Sequence, residues 1–451
     1  MSNLLSSLGV SAGAMKAFER SLAAIQNNVT NATTPGYAKH RQVLSAMTFE
    51  PSLGYSGGVA AGDLISYRDG FAERAVRRAQ ASLGEASQRS ADLERLEPLF
   101  DVSGAGGLPL ALNRLFESFS TLSVAPNNQT ARQGVLDSAG QLASTFNQAA
   151  ASLRASVSDT ARQIPGLVEK VNGLAGQIRE INETRRLEAR TIGAAGPDAR
   201  LHNALEELAE LADFTALDNP DGTTTVFLGG QTPLVIGTRQ MDLQTGITSG
   251  AARLLDEQGK DITAHVRGGR LSALLEACNR TFPAYLTDLD RLAAGVAGRV
   301  NAVLAEGLDQ AGNPPAQGLF VVSGSPAASL AAGGLRPEEL AAAVAGAPGG
   351  NGNALRLAAL ANSKEIDGLT FSEFYGGLAS RAGGQLSAAR ADQEMQSELL
   401  LQARAFRSQR QDVSLDEEAA AMLQFQRSYQ AAAQMVKALD EMTTTVLQMI
   451  G

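Results

Sequence analysis

The sequence contains no tryptophan and a single cysteine, Cys278, in 451 residues. One thiol excludes internal disulfides and any metal site built on several cysteines. Three scattered histidines, His40, His202 and His265, do not suffice for a histidine-built catalytic zinc. Aromatic residues are 5% against 44% hydrophobic overall, which suits close helix packing better than an aromatic-walled ligand pocket. Positive charge is also short: 38 Lys+Arg against 47 Asp+Glu leave a net charge of −9. That sign disfavours a nucleic-acid or anionic-membrane binder. No apolar run reaches the roughly 18 residues of a transmembrane helix. A cleavable secretory signal is not expected either, since the first basic residue is Lys16 and Ser6-Ser7 break the apolar start. Phosphate loops, Gly-x-Ser-x-Gly elbows, His-Glu-x-x-His and Cys-x-x-Cys are all absent. Asp309-Gln310-Ala311-Gly312-Asn313 lacks the alternating carboxylates and closing Glu of a calcium loop and reads as a turn. No catalytic, cofactor or metal residue is assigned. The chain reads as a scaffold, not an enzyme.

What is present is helical periodicity. Leu4, Leu8, Ser11, Met15, Phe18, Leu22, Ile25 and Val29 alternate in steps of four and three, a heptad seam that predicts a helix over 3–31 with Ser2 as its cap. Pro35 disfavours helix at the residue before it, and Pro35-Gly36 makes a turn. At the other end Ser414-Leu415-Asp416-Glu417 is a capping box, with Ser414 and Glu417 as reciprocal caps. Behind it run Met422, Phe425, Tyr429, Ala432, Val436, Leu439, Thr443, Val446 and Ile450, again in threes and fours. Two arrangements satisfy these seams: both helices lie on a shared core, or they pair with each other and with neighbouring copies.

Between the ends, apolar residues from Val135 to Ile181 keep the same rhythm. A helix over 129–187 would be on the order of 85 Å long, with a kink or break at Pro165-Gly166. A return helix runs from Leu271 to Val303, with a second kink at Pro283 and Cys278 as a small apolar core residue. Thr223–Leu228, Gly229-Gly230 and Leu234–Ile236 predict a hairpin within 213–265. Residues 41–67 read as a loose extended arm, where His40 joins Lys39 and Arg41 in a solvated basic cluster. His202 and His265 have no candidate partners. The Gly/Ala/Pro-rich stretch near 321–355 reads as a flexible insert, with a short helix start at Pro337-Glu338-Glu339-Leu340.

Two terminal motifs are specific. Asn27-Asn28-Val29-Thr30-Asn31-Ala32-Thr33-Thr34-Pro35-Gly36-Tyr37 resembles the N-terminal signature of axial flagellar proteins, the rod, hook and hook-associated family. Val413-Ser414-Leu415-Asp416-Glu417-Glu418-Ala419-Ala420 and Gln424-Phe425-Gln426-Arg427-Ser428-Tyr429-Gln430-Ala431-Ala432-Ala433 resemble its C-terminal ending. Gly57-Gly58-Val59, Tyr67-Arg68-Asp69 and Gly268-Gly269-Arg270-Leu271 fit between them, in order. The basic residues after Tyr37 and the Asp416-Glu417-Glu418 run point to the members at the hook–filament junction. The alternatives are another axial component (hook, distal rod or second junction protein) and a secreted coiled-coil effector; effectors of that kind carry a long apolar segment absent here. Leu201-His202-Asn203-Ala204-Leu205-Glu206-Glu207 departs from the family pattern. The region 321–355 is short for the outer domain that many members carry.

The resemblance implies a mainly α fold of long antiparallel coiled-coil or bundle helices with paired N- and C-terminal helices, a small subdomain containing a β-hairpin, and an extended β-like arm. Residues 1–75 would hold the N-terminal part of the inner polymerisation domain, with the arm over 36–70. Ascending rod helices would occupy 76–212, the β subdomain 213–268, returning helices 269–399 and the C-terminal inner helix 400–451. Assembly and packing residues would be Leu8, Met15, Phe18, Leu22, Ile25, Val29, Asn31, Pro35, Gly36 and Tyr37, with Met422, Phe425, Tyr429, Val436, Leu439 and Val446. The implied partners are further copies in a homo-oligomeric ring, the hook protein, the second junction protein, and a cytosolic export chaperone on the C-terminal helix. No nucleic acid, membrane insertion or cofactor is implied. The implied location is extracellular, at the hook–filament junction, after export without a cleaved signal.

Overall fold

The computed structural model describes residues 2–50, 55–100, 106–188, 195–248 and 250–450. In chain order, helix α1 (Ser2–Thr30) precedes strands β1 (His40–Ala46), β2 (Phe49–Glu50), β3 (Tyr55–Ser56) and β4 (Val59–Ser66). Helices α2 (Gly70–Glu94), α3 (Gly107–Val124), α4 (Gln129–Glu188) and α5 (Ala195–Leu211) follow. Then come β5 (Phe214–Asp218), β6 (Thr224–Leu228), β7 (Thr232–Ile236), β8 (Arg239–Gln240), β9 (Gln244–Thr248) and β10 (Ala251–Leu255). Next are α6 (Gly269–Glu276), α7 (Phe282–Ala305), β11 (Gly307–Leu308), β12 (Phe320–Val321), α8 (Pro326–Ser329), β13 (Ala331–Ala332) and β14 (Ala343–Val344). The chain closes with α9 (Gly352–Ala359), α10 (Phe371–Gln411) and α11 (Leu415–Ile450). The architecture is mainly helical with small antiparallel sheets, as the fold class anticipates. Two compact units emerge: Met1–Leu83, Lys170–Asp242 and Gln396–Gly451 form the first, Gly84–Glu169 and Leu243–Met395 the second.

The second unit holds the large core. Leu112, Leu115, Phe119, Phe146, Phe282 and Phe371 are among its most buried side chains, and Phe116 stacks on Phe371 at 6.0 Å. Cys278 is buried in the same unit, its thiol against the Val157 carbonyl at 3.8 Å. Burial, with Asp92 nearby, pushes that thiol up to about 12. Helix α4 runs through Pro165 without interruption. At Pro283 the expected disturbance takes the form of a π-helical turn, Ala277–Thr281, between α6 and α7. A proline cannot donate to the turn before it, and the widened turn absorbs that loss.

The Gly/Ala-rich stretch 321–355 corrects the sequence reading. It is not a loose connector: Leu330, Leu335, Leu340, Ala341 and Ala342 are buried in the core. The buried Arg132 guanidinium donates to the carbonyls of Pro126, Pro337 and Leu340 at 2.6, 2.9 and 2.7 Å. Asn301 exchanges two hydrogen bonds with the Phe320 backbone. The small residues serve close approach, since a Cβ on Gly333 would lie 2.1 Å from the Gly318 carbonyl oxygen. Pro337–Glu339 form a short 3-10 turn.

The expected β segment divides. β5 to β8 make a four-stranded antiparallel meander in the first unit, while β9 and β10 pair separately in the second. Gly229 and Gly230, both at positive φ, turn β6 into β7. The expected arm is a long hairpin in which β1 pairs with β4 and β2 with β3, with a bulge between Gln42 and Leu44. It packs against α1, which also lies along α11. Contacts between Phe18 and Phe425 and between Asn28 and Glu418 make that helix pair antiparallel. Helix α1 already includes Ser2, one residue earlier than the cap reading; the side chains of Ser2 and Ile450 lie outside the described residues.

Candidate assembly interface and its polar anchor

The end of α1 and the turn after it are held by one buried side chain. Asn28 donates to the His40 carbonyl at 2.8 Å and to Glu418 at 3.1 Å. Its Oδ1 accepts from the Tyr37 hydroxyl and the His40 N–H, both at 2.9 Å. Burial, then Glu418, pushes the Tyr37 phenol up to about 12, so it remains a donor. Asn31 donates to the Asn27 carbonyl and side chain, and Thr34 donates to Asn31. Gly36 has φ 71, and a Cβ there would lie 2.6 Å from both the Ala199 carbonyl oxygen and Asn203 Oδ1. Glycine is thus required twice over, by conformation and by space. Exposed Pro35 accepts from Asn203 at 3.1 Å.

Beneath this turn sits a second polar cluster. Arg68 donates to Glu73 at 2.6 Å, to Asp198 at 2.8 Å and to the Gly36 carbonyl at 2.7 Å. Glu73 is 2% exposed, and Gln411 donates to it at 2.8 Å. His202 Nδ1 lies 3.7 Å and Arg407 3.5 Å from Glu73 Oε2. Burial works against the Glu73 charge, but His202, Gln411 and Arg68 outweigh it and hold the carboxyl far below its usual range. Two expectations are corrected here. His202 does have partners: Glu73, from a distant part of the chain, and Asp198, one turn earlier on the same helix. His40 is half-buried against the Tyr37 ring at 5.5 Å rather than solvated, and burial lowers its pKa. His265 sits in a 3-10 turn of the second unit.

The capping box forms by half. Ser414 Oγ accepts from the Glu417 N–H at 3.4 Å, while the Glu417 carboxylate lies 3.4 Å from Lys39 Nζ. The start of α11 is therefore tied to the root of the arm, where Lys39 N–H also donates to the Gln411 carbonyl at 2.8 Å.

The seams divide unequally. On α11, Met422, Phe425, Tyr429, Val436, Leu439 and Val446 are all half-buried and Ala432 is buried. On α1 the most buried residues are Ser11, Ala17, Ser21, Ala24, Ile25 and Asn28, on a helix packed by both the hairpin and α11. Leu8, Met15, Phe18 and Leu22 are only half-buried, and Val29 is 38% exposed. Met435, Met442 and Met449, seven apart on one flank of α11, are exposed as well. Sequence reading passed over this methionine column, although its seven-residue spacing is visible once sought. Arg68, Glu73, Arg407 and Gln411 were also missed, and only the Tyr67-Arg68-Asp69 run hinted at them. Among the described residues no cluster suited to a metal occurs and no helix is long and apolar enough to cross a membrane.

Comparison with known proteins agrees along the chain. Residues 93–320, just over half of the sequence, match the family model described as "Flagellar hook-associated protein FlgK helical domain". Residues 409–449 match "Flagellar basal body rod FlgEFG protein C-terminal". Both place the chain among the structural proteins of the bacterial flagellum. More narrowly, it belongs to the FlgK family of hook-associated proteins. It is 25% identical over 499 residues to flagellar hook-associated protein 1 of Bacillus subtilis (strain 168), covering 97% of each chain. That span exceeds the 451 residues here, so the relative carries segments without counterpart in this chain. The fold is similar to that of the flagellar hook junction protein FlgK from Burkholderia pseudomallei, with TM-score 0.69 at 15% identity, over 75% of this chain and all of that one.

Proposed function

We propose that this chain forms the ring joining hook to filament, polymerising through its terminal helices. The observation that carries this reading is the half-covered pair α1–α11. The column Leu8, Met15, Leu22 and Val29 stays partly at the surface on one helix, and Met435, Met442 and Met449 on the other. Burying such side chains contributes about 1.5–3 kcal/mol each, and copies related head to tail would bury them while generating a ring or tube. On this reading Phe18, Ile25, Phe425 and Val436 pack within the pair, and Asn31, Pro35, Gly36 and Tyr37 fix the exit of α1. Hook protein below and the second junction protein above are the neighbours, and the chain acts outside the cell after export without signal cleavage. An export chaperone would hold α11 beforehand, covering the methionine column.

The test is genetic and structural together. A strain lacking the chain should build hooks but release its flagellin into the medium, and wild-type protein should restore filaments. Leu22→Asp and Met442→Asp should fail to restore them while the purified variants keep their helical content. Filaments on hooks of the deletion strain, or full rescue by both variants, would overturn the proposal.

A further inference from the structure

A different surface of the first unit carries an inference beyond ring assembly. The four-stranded sheet ends on β5, and among the described residues no strand pairs with the outer edge of β5. Gly229 N–H donates to the Asp213 carbonyl and Asn219 N–H to the Thr223 carbonyl, while Phe214 through Asp218 pair stepwise with Leu228 through Thr224. Backbone direction alternates along an antiparallel ladder. The odd residues therefore face β6, and the N–H and C=O groups of Phe214, Ala216 and Asp218 face outward.

Two adjoining cavities run beside that edge, about 330 and 420 Å³ in volume. The first is lined by consecutive residues 212–216, so it meets the strand's backbone edge and not one side-chain face. Across from it stand Arg74, Arg77 and Arg78 of α2; Arg74, Arg77 and Ala216 continue into the second cavity. Arg77 covers the Phe214 ring at 6.0 Å. Among the described residues no carboxylate forms an ion pair with any of these three arginines, although the chain as a whole carries net charge −9. In the second cavity two further cations are paired: Arg68 with Glu73 and Asp198, Arg185 with Asp198. Beside the open edge Arg74 and Arg78 have no salt-bridge partner among the described residues, while Arg77 feels Glu73 and Asp218 through space.

We propose that this groove binds an extended acidic segment of a partner chain, added to β5 as a fifth strand with its carboxylates on Arg74, Arg77 and Arg78. Strand addition satisfies outward backbone groups that a free anion or a helix cannot. Same-face residues of a strand lie about 6.6–6.8 Å apart, and helix residues three or four apart about 5–6 Å, so alternate glutamates reach successive arginines. The arginines also repel a second basic edge, the usual guard against unwanted pairing.

The probe is a fluorescein-labelled octapeptide of alternating Glu and Thr, titrated with the full-length protein and followed by anisotropy. Binding should saturate and weaken with salt, and the Lys-Thr peptide should not bind. Arg74→Glu with Arg78→Glu, both exposed, should weaken it by about tenfold or more. Ala216→Pro removes one outward N–H without breaking a ladder bond and should weaken it about fivefold. The Glu-Thr peptide N-methylated at alternate amides, in both registers, tests the same bonds without altering the protein and should lose binding in at least one register. No saturation, equal binding of the Lys-Thr peptide, or binding untouched by both Ala216→Pro and the methylated peptides would overturn strand addition. None of these results bears on ring assembly, which the filament-rescue experiment reads separately.

Discussion

The side-chain amide of Asn28 donates to Glu418 Oε1 at 3.1 Å, joining the first helix to the last across 390 positions of chain. The same side chain donates to the His40 carbonyl and accepts from Tyr37 and the His40 N–H. An amide has two donors and an oxygen with two lone pairs, and here all four are used. The Asn-Asn-Val-Thr-Asn motif therefore has a physical basis in this chain. It gathers the end of α1, the turn, the root of the arm and the start of α11 around one buried group.

Replacing that group should be costly. Asn28→Asp forfeits both donated bonds and sets a second carboxylate beside Glu418, while Asn28→Leu orphans the His40 N–H and carbonyl. Either should destabilise the first unit by about 2–4 kcal/mol, the scale of leaving buried polar groups unpaired. Urea denaturation followed by circular dichroism measures this. A loss below about 0.5 kcal/mol in both variants would mean that water or rearrangement replaces the network.

Glu73 supplies a pH dependence of known sign. Its folded pKa is depressed below the ordinary 4.5, so its contribution is fully present above about pH 4.5 and is lost as pH falls through the folded value. Between pH 8 and 5 this group should add no slope to the stability of the first unit. Glu73→Gln leaves Arg68 and Arg407 short of a buried counter-charge and should cost about 3–5 kcal/mol at neutral pH. The gap from wild type should narrow in acid. A constant gap down to pH 3 would show that packing, not charge, holds the cluster.

The sequence made the long helices legible and the clusters between them obscure. On α11 the three-four rhythm picked out the sheltered face, because α1 lies along it. On α1 the same rhythm marked the larger side chains, yet the most buried face includes Ser21, Ala24 and Asn28, because the hairpin as well as α11 packs against this helix. The glycines and alanines of 321–355 carried two meanings, loose connector and tight packing, and composition cannot separate them. His202 lacked partners on paper because Glu73 reaches it only through the tertiary fold, whereas Asp198, four residues earlier on the same helix, was a local signal passed over. Gly36, Tyr37 and the Ser414 cap were readable because turn and cap chemistry are local. The bonds from Arg68 to Gly36 and from Gln411 to Glu73 were not.

In the second unit, Asp92 titrates with the opposite sign to Glu73. Its side chain is 2% exposed, Oδ1 accepts from Gln88 at 3.2 Å, and buried Oδ2 has no hydrogen-bond partner among the described residues. Burial pushes its pKa up to about 6, against 3.8 when unperturbed, with Gln88 and Arg95 offsetting part of the rise. A raised carboxyl pKa means that the folded state holds the proton more tightly. Stability should therefore rise as pH falls through 6 and level off below about 3.8, as far as this group is concerned. Asp92→Asn mimics the protonated form and should be more stable than wild type by about 1–3 kcal/mol at pH 8. The advantage should shrink toward pH 4. Equal stability of the two proteins at pH 8, or an advantage that grows in acid, would show that Arg95 compensates the charge more fully than burial penalises it.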